Sequence, residues 1–235
     1  MNQNTSNSAL AETSVYTGAN TTAQSTHSLE VQKVLRNTYA LLAMTLIFSA
    51  AVASAAVAFR WPAPGLVLTL VGYFGLLLAI HRFQNSAWAL PAVFGLTGFM
   101  GYTLGPILAH YLAVPGGAQT ISMALGATGV TFLSLSAYAL TTRKDFSFMG
   151  SFLFMGMVIA MLAGLAAMFF EIPALSLAVS AMVALLSAGL ILFETSHIVN
   201  GGERNYVLAT VSLFVSVFNL FTSLLALFGF GGQSE

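Results

Sequence analysis

The sequence predicts an all-α, polytopic membrane protein built as a bundle of seven transmembrane helices. Hydrophobic residues make up 57% of the 235-residue chain. Charged residues make up 6%, against about 25% in soluble globular proteins. Continuous apolar stretches of about 20 residues, the length that crosses a bilayer as a helix, recur seven times. Such continuous stretches exclude a β-barrel, whose strands alternate apolar and polar faces.

The same composition excludes several classes of function. The formal net charge is zero and the largest basic cluster is the pair Arg143–Lys144, so we expect no nucleic-acid partner. The chain has no cysteine, which excludes disulfides and thiol chemistry. Because the sequence has no HExxH, GxSxG or Walker A motif, we expect no catalytic residue, no metal and no cofactor.

The chain divides into a polar tail and a hydrophobic domain. Residues 1–28 are dominated by Ser, Thr, Asn and Gln, a composition that cannot bury enough apolar surface to fold. We therefore predict a disordered cytoplasmic tail over residues 1–30 and a seven-helix transmembrane domain over residues 31–235. No basic start followed by an apolar run, the pattern of a signal peptide, precedes residue 29.

Short polar breaks within the domain separate the seven apolar stretches. The breaks fall at residues 60–64, 81–86, 115–117, 141–145, 171–173 and 200–205. They predict spans at about 38–59, 64–81, 87–112, 118–140, 147–170, 173–198 and 206–228, each near the length that a bilayer requires.

The basic residues predict the orientation of these spans. If the tail is cytoplasmic, one of the seven, Arg60, falls on the outer side. The other six fall on the cytoplasmic side: Lys33, Arg36, Arg82, Arg143, Lys144 and Arg204. Because basic residues favour the cytoplasmic side, we predict a cytoplasmic N-terminus, and an odd number of spans then places the C-terminus in the periplasm.

Small residues predict where helices touch. The third span contains the GxxxG spacing Gly101-Tyr-Thr-Leu-Gly105, which lets two membrane helices approach closely. We expect a contact inside the bundle rather than a dimer interface. Pro106 follows directly and lacks the N–H that would bond one turn back, so we expect a bend there.

The seventh span carries a polar stripe. Ser212, Ser216, Asn219 and Ser223 recur at intervals of four, three and four residues, which places them on one helical face. Such a face should avoid lipid, so this helix is predicted inside the bundle, against other helices or a narrow wet cavity. The sixth span offers a facing stripe of Ser180, Ala184, Ser187, Ile191 and Glu194.

Glu194 is the one ionisable residue well inside a span. It precedes the break at Asn200 by six residues, or about 9 Å of helix. His197 on the same face, or the pair His81–Arg82 at the end of the second span, could partner it. Two interpretations stay open: a carboxyl that responds to pH or anchors a proton or cation path, and a purely structural pair.

Several motifs follow in order along the chain: residues 35–39 (LRNTY), 101–108 (GYTLGPIL), 141–148 (TTRKDFSF), 193–196 (FETS), 201–202 (GG) and 209–219 (ATVSLFVSVFN). Together they resemble the Bax inhibitor-1 family, and most closely its bacterial YccA-type branch. The resemblance implies seven helices with the last one central. For the bacterial branch it implies an inner-membrane protein that binds the FtsH protease as a slowly processed competitor of other substrates, without catalysis of its own.

The resemblance also implies an alternative, a pH-sensitive leak channel for protons or calcium. Members studied as calcium channels use two aspartates as a latch near a basic residue. These positions fall on Glu194, Ser216 and His81–Arg82 here. Because Ser216 has no carboxyl, a latch in which two carboxyls share a proton is not available at these positions. A third alternative is a general stress-protective membrane factor whose partner is unknown.

Overall fold

The computed structural model describes the backbone of residues 4–231 and the side chains of residues 29–230. Within that part the chain forms seven α-helices and no strand, which confirms the predicted fold class. The helices are α1 (Asn4–Ala58), α2 (Leu66–Phe83), α3 (Ala89–Leu112), α4 (Gly117–Thr142), α5 (Gly150–Phe169), α6 (Pro173–Val199) and α7 (Tyr206–Gly231). A single 3-10 turn, Ser147–Met149, precedes α5.

Each helix contains a stretch long and apolar enough to cross a membrane. Most limits lie within a few residues of the prediction. The first helix differs, because α1 continues on the N-terminal side of the predicted span start at 38. The helix does not stop where its side chains become polar, so Lys33 and Arg36 lie on α1 and can extend towards water. The disordered tail over residues 1–30 stays a prediction, and the side chains of 1–28 lie outside the described residues.

Local sequence signals account for several helix ends. Gly116 has φ 76° where α4 begins, a left-handed conformation that glycine adopts without steric cost. Pro173 stands at the first turn of α6, where its missing N–H would have no helical partner. In contrast, α3 continues through Pro106 to Leu112, and the bend expected there stays a prediction.

Helix α7 lies at the centre of the bundle. It packs against α1, α3, α4 and α6, and a larger share of its span is buried than in any other described span. Leu213, Phe214 and Leu225 on α7 are almost completely buried. Helices α2 and α5 are peripheral, since α2 packs on α3 and α5 on α6.

Glycines of α3 allow it to lie directly against α1. A Cβ atom at Gly101 would overlap the backbone carbonyl of Ser49, and one at Gly105 would overlap the side chain of Ala56. The GxxxG pair of α3 therefore faces α1 within the same bundle, in the manner expected for close packing of membrane helices.

Three loops meet at one end of the bundle, which we call the basic end because it carries Arg82, Arg143, Lys144 and Arg204. The amide of Asn205, before α7, donates to Gln84 Oε1 at 3.4 Å and to Asn85 Oδ1 at 3.3 Å in the α2–α3 loop. Near the end of α6, Ser196 binds the α4–α5 loop. These hydrogen bonds join the α6–α7 loop to the α2–α3 loop, and the end of α6 to the α4–α5 loop.

Candidate functional site

The polar stripes of α6 and α7 meet near the basic end. Glu194 lies in the second-to-last turn of α6 and is partly buried. Its carboxyl faces the hydroxyl of Ser212 on α7, and the carboxylate of Glu203 in the α6–α7 loop lies near it. The structure therefore assembles two carboxyls and one hydroxyl where the spacing of the sequence predicted one carboxyl.

The partners predicted for Glu194 make other contacts in the structure. The ring of His197 stacks on Phe193, with centroids 5.5 Å apart and planes inclined by 17°, and its charge acts on Asp145. His81 and Arg82 are exposed at the end of α2, a helix that packs on α3. None of these three basic residues is among the groups that act on Glu194.

Deeper in the bundle, α7 presents buried hydroxyls. Ser216 is 3% exposed and Ser223 is 6% exposed. On the facing helices, the hydroxyls of Ser187 and Ser136 are buried without a hydrogen-bond partner within the described part of the chain. A buried hydroxyl without a partner costs free energy, so this interior is polar but incompletely paired.

Asn219, the third member of the α7 stripe, borders a separate cavity of about 220 Å³. Tyr73 of α2, Thr103 of α3 and Met161 of α5 border the same space. Asn219 therefore borders a space between α7 and the helices α2, α3 and α5.

Ser196 and Asn200 hold the α4–α5 loop, and reasoning from the sequence missed both. The Ser196 hydroxyl donates to the Lys144 carbonyl at 2.7 Å and accepts from the Phe146 N–H at 3.2 Å. Asn200 Nδ2 donates to the same carbonyl at 3.3 Å. The i, i+4 spacing of Ser196 and Asn200 indicated a shared face but not the loop that binds it.

Asn205 was also missed, although its position before the seventh span is a recognisable signal. Its Oδ1 accepts the N–H groups of Val207 at 2.9 Å and Leu208 at 3.4 Å. These are the first unpaired donors of α7, so Asn205 is the N-cap of the central helix.

Asp145, in the loop that Ser196 holds, has a displaced pKa. The Ser147 hydroxyl and backbone N–H both donate to its carboxylate and lower its pKa below the ordinary 3.8. The backbone bond measures 2.8 Å. The positive charge of His197 acts in the same direction. Asp145 therefore carries a negative charge at the basic end across the physiological pH range.

Comparison with known proteins places the whole bundle in one family. The family model described as "Inhibitor of apoptosis-promoting Bax1" matches residues 31–233, a range that covers all seven apolar stretches except Leu29 and Glu30. The chain belongs to the Bax inhibitor-1 family. Two of the segments that carried the resemblance, residues 141–148 and 193–196, are joined in the structure by the hydrogen bonds of Ser196.

Bacterial members of this family are similar over nearly their whole length. "Modulator of FtsH protease YccA" from Escherichia coli K12 is 50% identical over 208 residues, covering 88% of this chain and 94% of the relative. An uncharacterised protein of Pseudomonas aeruginosa is 51% identical over 206 residues, covering 88% and 93%. "Inner membrane protein YccA" of E. coli O6:H1 is 50% identical over 208 residues, again covering 88% and 94%. The chain is accordingly a multi-pass inner-membrane protein.

Proposed function

We propose that this protein binds an FtsH-type membrane protease and modulates its proteolysis, without catalysis of its own. The observation that carries the proposal is the 50% identity to the E. coli modulator of FtsH protease, which extends over 94% of that relative. Identity over that length supports a common fold and common surfaces for a partner in the membrane.

In this proposal the N-terminus is cytoplasmic and the C-terminus periplasmic. The clustering of Arg82, Arg143, Lys144 and Arg204 at the basic end supports this orientation. The cysteine-free chain allows a direct test with single cysteines at Ser6 and Ser234 and a membrane-impermeant maleimide on intact spheroplasts. We expect labelling at position 234 and none at position 6; the reverse pattern would contradict the orientation.

The tail supplies the segment that the protease grips. A cytoplasmic segment of about 30 residues with few large apolar side chains can enter an unfoldase without prior melting of packed structure. We expect deletion of residues 2–28 to lengthen the half-life of this protein and to change that of a second FtsH substrate. Co-purification with FtsH, before and after the deletion, separates binding from degradation. Unchanged half-lives together with retained co-purification would remove the tail from the mechanism.

A second candidate is a pH-sensitive proton or calcium leak. The observation that favours it is the group formed by Glu194, Glu203 and Ser212 at the inner end of α6 and α7. The charges of Glu194 and Glu203 influence each other, so the two carboxyls titrate as a coupled pair, and Glu203 supplies the second carboxyl that Ser216 cannot. In liposome flux measurements across pH, we expect Glu194→Gln and Glu203→Gln to alter the pH dependence and Glu30→Gln to leave it unchanged. Identical, pH-independent flux in the unsubstituted protein and all three variants would exclude the leak.

A further inference from the structure

A cavity of about 530 Å³ opens at the basic end, between the α2–α3 loop and the first turns of α3 and α7. It lies apart from Glu194 and plays no part in the functions proposed above. Its polar wall is formed by Gln84, Asn85, Ser86, Arg204, Asn205 and Tyr206. Ala87, Leu90 and Val207 add apolar surface, so the cavity is amphipathic.

Among the described residues, the charged side chain that lines this cavity is basic. Arg204 lines it, and no carboxylate does so among the residues that the structure describes. Glu203, whose Oε1 accepts the N–H of Asn205 at 2.7 Å, lines a neighbouring cavity of about 470 Å³ together with Glu30, Lys33 and Arg204. Arg204 borders both cavities, and on the side of the 530 Å³ cavity no carboxylate lines the space beside it. Its planar guanidinium can donate two parallel hydrogen bonds to the oxygens of a phosphate on that side.

Two hydrogen-bond donors of the cavity, the amide of Asn85 and the guanidinium of Arg204, remain available for a ligand. Asn205 Nδ2 is committed to the α2–α3 loop, and Gln84 Nε2 donates to the His81 carbonyl at 3.0 Å. Within residues 29–230, no acceptor binds the Asn85 amide nitrogen or the Arg204 guanidinium. Asn85 accepts from Asn205 through Oδ1 at 3.3 Å, which leaves its amide nitrogen free to donate to a ligand in the cavity.

The cavity lies at the level of the membrane interface. Trp88, 68% exposed, stands at the start of α3, with Leu90, 40% exposed, two residues further on. Exposed tryptophan is enriched where hydrocarbon meets headgroups. We therefore expect the polar wall at headgroup depth and Leu90, inside the apolar stretch that begins at Ala89, towards the acyl chains.

We propose that this cavity binds the phosphodiester headgroup of an anionic phospholipid. Arg204 holds the phosphate, the Asn85 amide donates a second hydrogen bond, and the lipid chains pass along Leu90 and Trp88. Basic pockets between transmembrane helices on the cytoplasmic side are suited to anionic headgroups. Free phosphate shares the headgroup chemistry but would leave the apolar wall uncovered.

Native mass spectrometry of the full-length protein tests the proposal, with equal amounts of phosphatidylglycerol and phosphatidylcholine in the detergent micelles. We expect preferential retention of phosphatidylglycerol, reduced about tenfold by Arg204→Gln, since a charge-assisted hydrogen bond contributes that order of affinity. Arg204→Lys keeps the positive charge but loses the paired N–H groups of the guanidinium. Its retention of phosphatidylglycerol should therefore lie between those of the unsubstituted protein and Arg204→Gln.

Arg143→Gln is the matched control, because Arg143 is exposed at the same end and does not line the cavity. If Arg143→Gln and Arg204→Gln lost retention of phosphatidylglycerol equally, or if neither lost any, the proposed site would be refuted. Only a general attraction of anionic lipid to the basic end would then remain. If inorganic phosphate displaced the bound lipid as effectively as short-chain phosphatidylglycerol does, a lipid would be excluded as the occupant of the cavity. Unchanged thermal unfolding of Arg204→Gln would show that its fold is intact.

Discussion

The hydroxyl of Ser196 donates a hydrogen bond of 2.7 Å to the backbone carbonyl of Lys144, 52 residues earlier in the chain. The same oxygen accepts the N–H of Phe146 at 3.2 Å. A single side chain in α6 thus satisfies a donor and an acceptor of the α4–α5 loop. The position of the exposed residues Arg143, Lys144 and Asp145 therefore depends on α6.

Replacing Ser196 by alanine should loosen this loop. Ser196 is completely buried, and the change leaves the Phe146 N–H without its partner. We expect the free energy of unfolding to fall by about 1–3 kcal/mol, measured by reversible unfolding in mixed detergent and SDS micelles. Ser134→Ala is the control, because Ser134 is exposed on α4 and should change stability little. Equal effects of the two substitutions would contradict the role of Ser196.

Adding one methyl group to a glycine of α3 should separate it from α1. In Gly101→Ala the new Cβ would overlap the Ser49 carbonyl, and overpacking of this kind costs about 1–3 kcal/mol. Gly126→Ala in α4 adds the same group where no atom lies within 4 Å. It should be neutral or slightly stabilising, since alanine favours helix over glycine. The same unfolding assay compares the two variants. An equal loss of stability in Gly101→Ala and Gly126→Ala would refute a specific contact between Gly101 and α1.

Substitutions of Asn205 should separate its two functions. Asn205→Ala removes the N-cap of α7 and the bonds to the α2–α3 loop, and we expect a loss of about 1–2 kcal/mol. Asn205→Asp keeps an oxygen that can accept from Val207 and Leu208 but cannot donate to Gln84 and Asn85. If capping dominates, the aspartate variant retains most of the stability. If it is as unstable as the alanine variant, the link between the loops dominates.

The pH dependence of Asp145 has a defined sign. Because its pKa in the folded protein lies below 3.8, the folded state favours the charged carboxylate. Its stabilising effect is fully present above pH 3.8 and is lost as the pH falls through the lowered folded pKa. We expect Asp145→Ala to lower the melting temperature at pH 7 and to converge with the unsubstituted protein in acid. A difference that is constant across pH would rule out the carboxylate as its source.

Composition and spacing predicted the fold because each span is an independent local signal. About 20 apolar residues between polar breaks require a membrane helix wherever it lies in the bundle. The polar face of α7 likewise followed from intervals of three and four residues, and α7 is central in the structure. The start of α1 was less predictable, since a helix can extend beyond the hydrocarbon when its basic side chains reach water.

The neighbours of Glu194 could not be predicted in the same way. Helical spacing placed His197 near its face, but stacking on Phe193 turns that ring elsewhere. Glu203, which does lie near Glu194, is in a loop whose path no periodicity describes. Ser196 and Asn205 show the same limit, because their partners are backbone or loop atoms brought together only by the packed helices.

The packing of α1 has a mechanical consequence. Phe48, Ser49 and Ala56 lie directly against glycines of α3, and α1 also contacts α7. A force applied to the amino terminus would therefore act first on the helix that covers both α3 and the central α7. Extracting α1 would uncover α3 and α7 in one step. It would also expose the Thr210 hydroxyl, which in the folded protein donates to the Thr38 carbonyl at 3.3 Å. Resistance to that first step would determine how slowly the chain is dislocated.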